Sequence, residues 1–282
     1  MFSKREEYIE LDYWVKRVKY EPFSKRMKVY QFPDKPETSR FINELKELGE
    51  KNSCNKIMLY IKDSEKKRIN EKSFDKEGLI KGFFNGETAY IYTLFLNSNK
   101  KNSTLLKEEE KIFDIAKDYK KHEGEAFVSK EYYTRLASKA DAHKMSSFYE
   151  GIFETYPTPI NDPEFIQECM DNDVYFTVIE HNGEIVSACS AEIMNEFKAA
   201  EIADCGTLVE HQGNNLLSYQ FTYLEKFMKA KGIKTLFSYS RSLSIGMNLV
   251  NKKQGFTYGG RLKQNSNICG KIENMNVWYK NL

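Results

Sequence analysis

The sequence predicts an α/β (α+β) chain: a central mixed sheet flanked by helices over residues 131–282, preceded by a smaller α/β domain over residues 1–130. Three observations predict this. From Tyr132 onward, strand-length apolar runs and helical periods follow the order strand, helix, helix, three strands, helix, strand, helix, strand, strand. Asn85-Gly86 and His181-Asn-Gly183 each sit between apolar runs, which is a hairpin signal. Finally, an apolar run ending at Thr207-Leu-Val209 enters the polar turn Glu210-His-Gln-Gly-Asn-Asn215. A helical pattern through Leu216, Leu217, Phe221, Leu224 and Met228 leaves that turn.

The first domain begins with two strands, Tyr13 to Tyr20 and Met27 to Phe32, around Glu21-Pro-Phe-Ser24; Pro33 and Pro36 punctuate. Thr38 or Ser39 caps a helix with Phe41, Ile42, Leu45 and Leu48 on one face, closed by Gly49. Ile57–Ile61 is a buried strand, Lys62–Lys72 a short charged helix, and Phe74–Phe84 and Tyr90–Leu96 the arms of a hairpin. A solvated stretch, 97–111, leads into a helix with Ile112, Phe113, Ile115, Ala116 and Tyr119 on its apolar side. Periodicity fades over 120–131, and the domain boundary is placed there.

In the second domain Tyr132–Ala137 is a strand and Asp141–Phe153 a helix. Tyr156-Pro-Thr-Pro-Ile160 is extended, because a residue before proline is pushed out of the α region. Asp162 caps a helix with Pro163 at its first position. Strands follow at 174–179, 184–192 and 200–209, then the helix of about 214–231, a strand at 235–239, a helix from Ser242 or Ser244, and closing strands at 257–262 and 272–279.

Composition narrows the function. Forty-three Lys+Arg against 41 Asp+Glu give a net charge of +2 with no basic stripe, so nucleic acid is not an expected partner. Five widely spaced cysteines and four scattered histidines give no metal or redox spacing, so no metal is expected and free thiols are. No apolar run approaches the roughly 20 residues of a membrane span. The start, Met1-Phe-Ser-Lys-Arg-Glu-Glu, lacks the apolar core of a signal peptide. A cytoplasmic location is expected, and the Asn102-Ser-Thr104 sequon then carries no meaning.

The turn at 210–215 has a chemical reading. The first amides of a helix lack partners and the helix dipole favours negative charge there, so a Gly/Asn turn opening a helix suits an anion. An ordinary strand-to-helix connection has the same pattern, and the turn alone leaves both readings open.

The element order, that turn and Gly255-Phe256 before the penultimate strand resemble the GNAT acetyltransferase superfamily. Four stretches resemble its β-lysine N-acetyltransferases more closely: Tyr156-Pro-Thr-Pro-Ile160, Arg241-Ser-Leu-Ser-Ile-Gly-Met-Asn248, Tyr258-Gly-Gly260 and Asn267-Ile-Cys-Gly-Lys-Ile-Glu-Asn-Met-Asn-Val-Trp-Tyr-Lys280. The resemblance covers about 132–282. It leaves residues 1–130 as a candidate degenerate copy of part of the fold.

The resemblance implies acetyl transfer from acetyl-CoA to a small-molecule amine, here the terminal amine of β-lysine, whose acetylated form is a compatible solute in osmotic stress. Another small amine, or a non-catalytic acyl-CoA-binding module, is the alternative, and a homodimer is left open. The pyrophosphate would lie on the amides of Gln212, Gly213, Asn214, Asn215, Leu216 and Leu217. Asn215 and Leu217 stand where the family's pattern has small residues. Leu208 and Val209 would face the pantetheine and thioester. Glu201 and Asp204 are the candidate bases, and strand alternation puts them on opposite faces unless a bulge intervenes. The family's tyrosine acid is replaced by Asn251, leaving Tyr219, Tyr239, Tyr258 or solvent, with Tyr258 carried as the catalytic candidate. For substrate, Arg241 is expected on the carboxylate, with Arg135 and Arg261 as alternatives, and Glu192, Asn274 and Asn276 on the amines.

Overall fold

A computed structural model of the chain describes residues 7–11, 15–32, 38–69, 73–96, 105–119 and 129–282. Pro33, Pro36, the sequon at Asn102 and most of the boundary segment lie outside the described residues. The first half comprises β1 (Glu7–Leu11), β2 (Val15–Glu21), β3 (Arg26–Val29), α1 (Thr38–Lys51), β4 (Lys56–Lys62), β5 (Asp75–Phe84), β6 (Glu87–Phe95) and α2 (Leu106–Asp118). The second comprises β7 (Tyr132–Leu136), α3 (Ala142–Ile152), α4 (Pro163–Asp171), β8 (Val174–His181), β9 (Glu184–Met194), β10 (Ala199–Thr207), α5 (Leu216–Ala230), β11 (Thr235–Arg241), α6 (Ile245–Lys253), β12 (Thr257–Ile268) and β13 (Lys271–Asn281). Local signals set most of these boundaries. Asn85 and Gly86 both take positive φ, as a tight hairpin turn requires. The Asp162 carboxylate accepts from the Glu164 amide at 2.9 Å, and Ser244 caps α6. Among the described residues no helix is long and apolar enough to cross a membrane.

The thirteen strands among the described residues form one mixed sheet, in the order β1-β2-β3-β4-β6-β5-β12-β13-β11-β10-β9-β8-β7. The two halves repeat one connectivity. In each, an antiparallel pair (β2–β3, β9–β10) leads through a helix to a parallel neighbour (β3–β4, β10–β11), and a hairpin then closes the row (β6–β5, β13–β12).

The halves join where β5 pairs antiparallel with β12, Gly78 opposite Gly260. Glycine is required here. A Cβ on Gly260 would lie 2.3 Å from the Glu77 carbonyl oxygen, and one on Gly259 would lie 2.2 Å from that of Leu79. Beside this seam Lys56, 1% exposed, donates to Glu77 and to the Lys263 carbonyl, both at 2.6 Å.

The inner faces of the halves meet in a shared core, with Met58, Tyr60, Ile80 and Phe83 against Phe237, Leu262, Met275 and Val277. α1 covers the outer face of the first half, and α5 and α6 that of the second. α3 and α4 pack with Phe176, Val178 and Ala188 on the other face of β8 and β9. The sheet thus curls so that part of β2–β3 faces β9–β11 across a cavity.

Candidate active site

β10 and β11 pair at only three positions, Ala199–Thr235, Ala200–Leu236 and Glu201–Phe237, and diverge beyond them. A cavity of about 1590 Å³ occupies the gap, lined by Ala203–Thr207 on one side and Ser238–Arg241 on the other. A drug-sized ligand needs roughly 300–1,000 Å³, so the space exceeds what a small amine alone requires.

A β-bulge shapes the wall. The β9–β10 register shifts between Ala203 and Gly206, and Asp204 takes φ 51°. The shift turns Asp204 toward the cavity that Glu201 also lines, so both candidate bases share one space. Ser190 donates to Asp204 Oδ2 at 2.5 Å and Tyr156 to Oδ1 at 2.9 Å. Burial raises the pKa of Asp204, and these two hydrogen bonds oppose it. Burial also raises the Glu201 carboxyl from 4.5 to about 7; Lys28 and Lys19 pull it down while Glu192 and Glu21 push it up. Glu192 lies directly across from Glu201 in the β9–β10 register and pairs with Lys19 at 3.2 Å.

At the far end α5 opens from Gly213 (φ 85°) and Asn215 (φ 58°). The Asn215 side chain makes no cap, unlike Asp162 and Ser244 at their helices. The first amides of α5 are thus not capped by that side chain, and a helix N-terminus of this kind suits an anion. Gln212, Gly213, Asn215, Leu216 and Leu217 line the cavity there, whereas Leu208, Val209 and Asn214 do not. The Leu208 amide bonds the Val186 carbonyl, Val209 is 77% exposed, and Asn214 Nδ2 donates to the His211 carbonyl.

Three further residues expected in the site lie elsewhere. Tyr258 is not in the cavity lining; its ring packs on Phe113 and Trp278. Asn274 donates to both oxygens of Glu109 on α2. Asn276 donates to Asn248 Oδ1 and accepts from Arg261 Nε. Alternation along β13 explains this: Asn274, Asn276 and Trp278 share the face under α2 and α6, while Met275 faces the cavity. Arg241 reaches the cavity but holds Glu273 in a fork of two 2.8 Å hydrogen bonds. Arg135 is bound to Asp141 and Glu180. Asn251 is buried with its amide on Ser240 Oγ. Tyr156 and Tyr239 do line the cavity, and burial holds both phenols protonated far above neutral pH. The Cys189 and Cys205 sulfurs lie 3.0 Å apart beside the bulge.

The sequence reading missed the other wall. Lys19, Glu21, Arg26, Lys28 and Tyr30, from β2, β3 and the residue after it, line the same cavity. Their signal was present as a charged period of two, Lys19/Glu21 and Arg26/Lys28, alternating with the buried Val18, Met27 and Val29. Only a cavity shared by the two halves gives that pattern meaning.

Residues 143–256 match the sequence model of the acetyltransferase (GNAT) family. The chain is 33% identical over 225 residues to a β-lysine N(6)-acetyltransferase of Methanococcus maripaludis, covering 80% of this chain and 82% of that one. It is 33% identical over 265 residues to the N-acetyltransferase YodP of Bacillus subtilis, covering 93% and 94%. A β-lysine N(6)-acetyltransferase of Methanosarcina mazei is 28% identical over 258 residues, covering 84% and 95%. With these relatives beside the splayed strands and the uncapped helix, the chain belongs to the β-lysine N-acetyltransferase family of the GNAT superfamily and is an acetyl-CoA:amine N-acetyltransferase.

Proposed function

We propose that the enzyme acetylates the terminal amine of β-lysine, with Glu201 as the base. The observation that carries this reading is the carboxylate pair Glu192/Glu201 on the cavity wall, its reactive member raised to about 7. A carboxylate at that value is half ionised near neutrality, where proton transfer from an ammonium is best matched. The second carboxylate suits a substrate carrying two amines. Asp204 holds Tyr156 and Ser190 and fixes the floor of the site. The amides of Gly213 to Leu217 hold the pyrophosphate of acetyl-CoA, which supplies the activated acetyl thioester. Gln212, whose side chain donates to the Thr207 carbonyl, braces the turn.

Acetylation removes one of two ammonium charges and leaves a net-neutral zwitterion, the chemistry of a compatible solute. We place the reaction in the cytoplasm. The corresponding test is the intracellular N6-acetyl-β-lysine of cells expressing the chain, which rises with external salt; a level indifferent to salt removes the osmotic role.

We read residues 1–130 as a degenerate copy of the catalytic half, supported by the shared strand order. β3 and β4 pair over four positions, Arg26–Lys56 to Val29–Leu59.

The activity is tested by acetyl-CoA consumption with β-lysine, α-lysine and spermidine offered in parallel. β-Lysine is expected to give the highest kcat/KM. Turnover of spermidine alone would point to a polyamine enzyme, and CoA binding without turnover of any amine to a non-catalytic module.

A further inference from the structure

The wall facing Glu192 and Glu201 carries the opposite pairing. The β2–β3 register sets Lys19 directly across from Lys28, with side chains 6% and 5% exposed. Like charges opposite one another on a sheet are destabilising, and burial makes them more so. Lys19 is paired with Glu192 across the cavity at 3.2 Å, and the neighbouring pair, Glu21 opposite Arg26, offsets Lys28 only in part. The Glu21 carboxylate is shared between Arg26 and Lys28, the latter at 2.7 Å. Arg26 is further committed to the Asn265 carbonyl and Ser266 Oγ. Among the described residues Lys28 has no ion pair except with Glu21, and its ammonium lies 5.6 Å from the centre of the Tyr239 ring on the opposite wall. The cavity therefore sets a pair of buried cations against a pair of carboxylates. One of those carboxylates loses its charge whenever it accepts a proton from the amine.

We propose that the first half of the chain supplies the acceptor's carboxylate site, with Lys28 as the ligand and Lys19 beside it. The proposal rests on the reading of the enzyme as one for a carboxylated diamine and adds how that substrate is oriented. The ammonium groups meet Glu192 and Glu201, and the carboxylate meets the cation pair. Arg241 stays with Glu273. The degenerate half thus serves as a specificity element, selecting amino acids over simple polyamines.

The test compares β-lysine with pentane-1,4-diamine, the same skeleton without its carboxylate, in the full-length wild type, Lys28→Met and Lys28→Arg. One charge-assisted hydrogen bond is worth roughly 10- to 100-fold in binding. Wild type is expected to prefer β-lysine by about that factor. In Lys28→Met the preference collapses to within about threefold through a raised KM for β-lysine, and Lys28→Arg restores most of it. If Lys28→Met does not fold, Lys28→Gln is read by the same ratio. Equal losses on both substrates, or a preserved ratio in Lys28→Met with a collapsed one in Arg241→Ala, overturn the proposal. Absence of β-lysine turnover in wild type defeats the function reading instead. The carboxylate site is then judged on whichever carboxylated amine is turned over, against its decarboxylated counterpart.

Discussion

At the scale of single residues the proposed base, Glu201, is where the chemistry can be tested. Below about pH 7 its carboxyl holds a proton and cannot accept one, so kcat/KM should rise with pH and level off above that value. Glu201→Gln should lower the plateau about 10²- to 10⁴-fold and remove this limb. If the limb persists in the mutant, the base is another group, Asp204 first. The same shift has a stability consequence of known sign. The folded pKa lies above the unfolded value, so the contribution is fully present below about 4.5 and is lost as pH climbs through 7. Wild type should lose thermal stability over that window relative to Glu201→Gln; parallel melting curves would contradict the burial argument. Glu201, Asp204 and Glu192 stood out in the sequence because acids in an apolar strand need a reason to be there, and all three line the cavity. Tyr258, Asn274 and Asn276 were misread because a motif shows which residues occur and not which face of β13 or β12 they occupy. Lys28 was invisible alone, since one lysine in an alternating strand ordinarily points at water.

Among the elements, the opening of α5 and the bulge in β10 build the site. The strand–turn–helix reading around the turn at 210–215 was available from Gly213 and Asn215, whose tolerance of positive φ the turn uses. The bulge was not, because a register shift depends on the partner strand. Asn215→Asp separates the cofactor role of the helix from its structural one. The change is isosteric and places an acid at a helix N-terminus, so stability should hold or rise. The same charge repels a pyrophosphate, and the KM for acetyl-CoA should increase on the order of tenfold at low salt, less at high salt. An unchanged KM would show that the cofactor is held elsewhere.

At the scale of the whole molecule, the two halves share a sheet and a core, and the buried Lys56 of the first half donates to the Lys263 carbonyl of the second. The sequence spoke for each half through local periods and turns, but β5 meeting β12 is a long-range pairing of two glycines that no local signal encodes. Thermal unfolding should accordingly be a single cooperative transition, whereas two resolved transitions would mean the halves fold separately. Gly260→Ala puts a Cβ into the Glu77 carbonyl at a φ of 137° and should cost at least about 2 kcal/mol. A neutral effect would mean that the seam is looser than described. The central claim is that this single body brings the terminal amine of a carboxylated diamine to Glu201. The most direct measurement is the structure, by NMR, of the product formed from β-lysine and acetyl-CoA. A single acetyl group on the terminal amine is the expected result. A product acetylated on the β-amine, or no product, would contradict it.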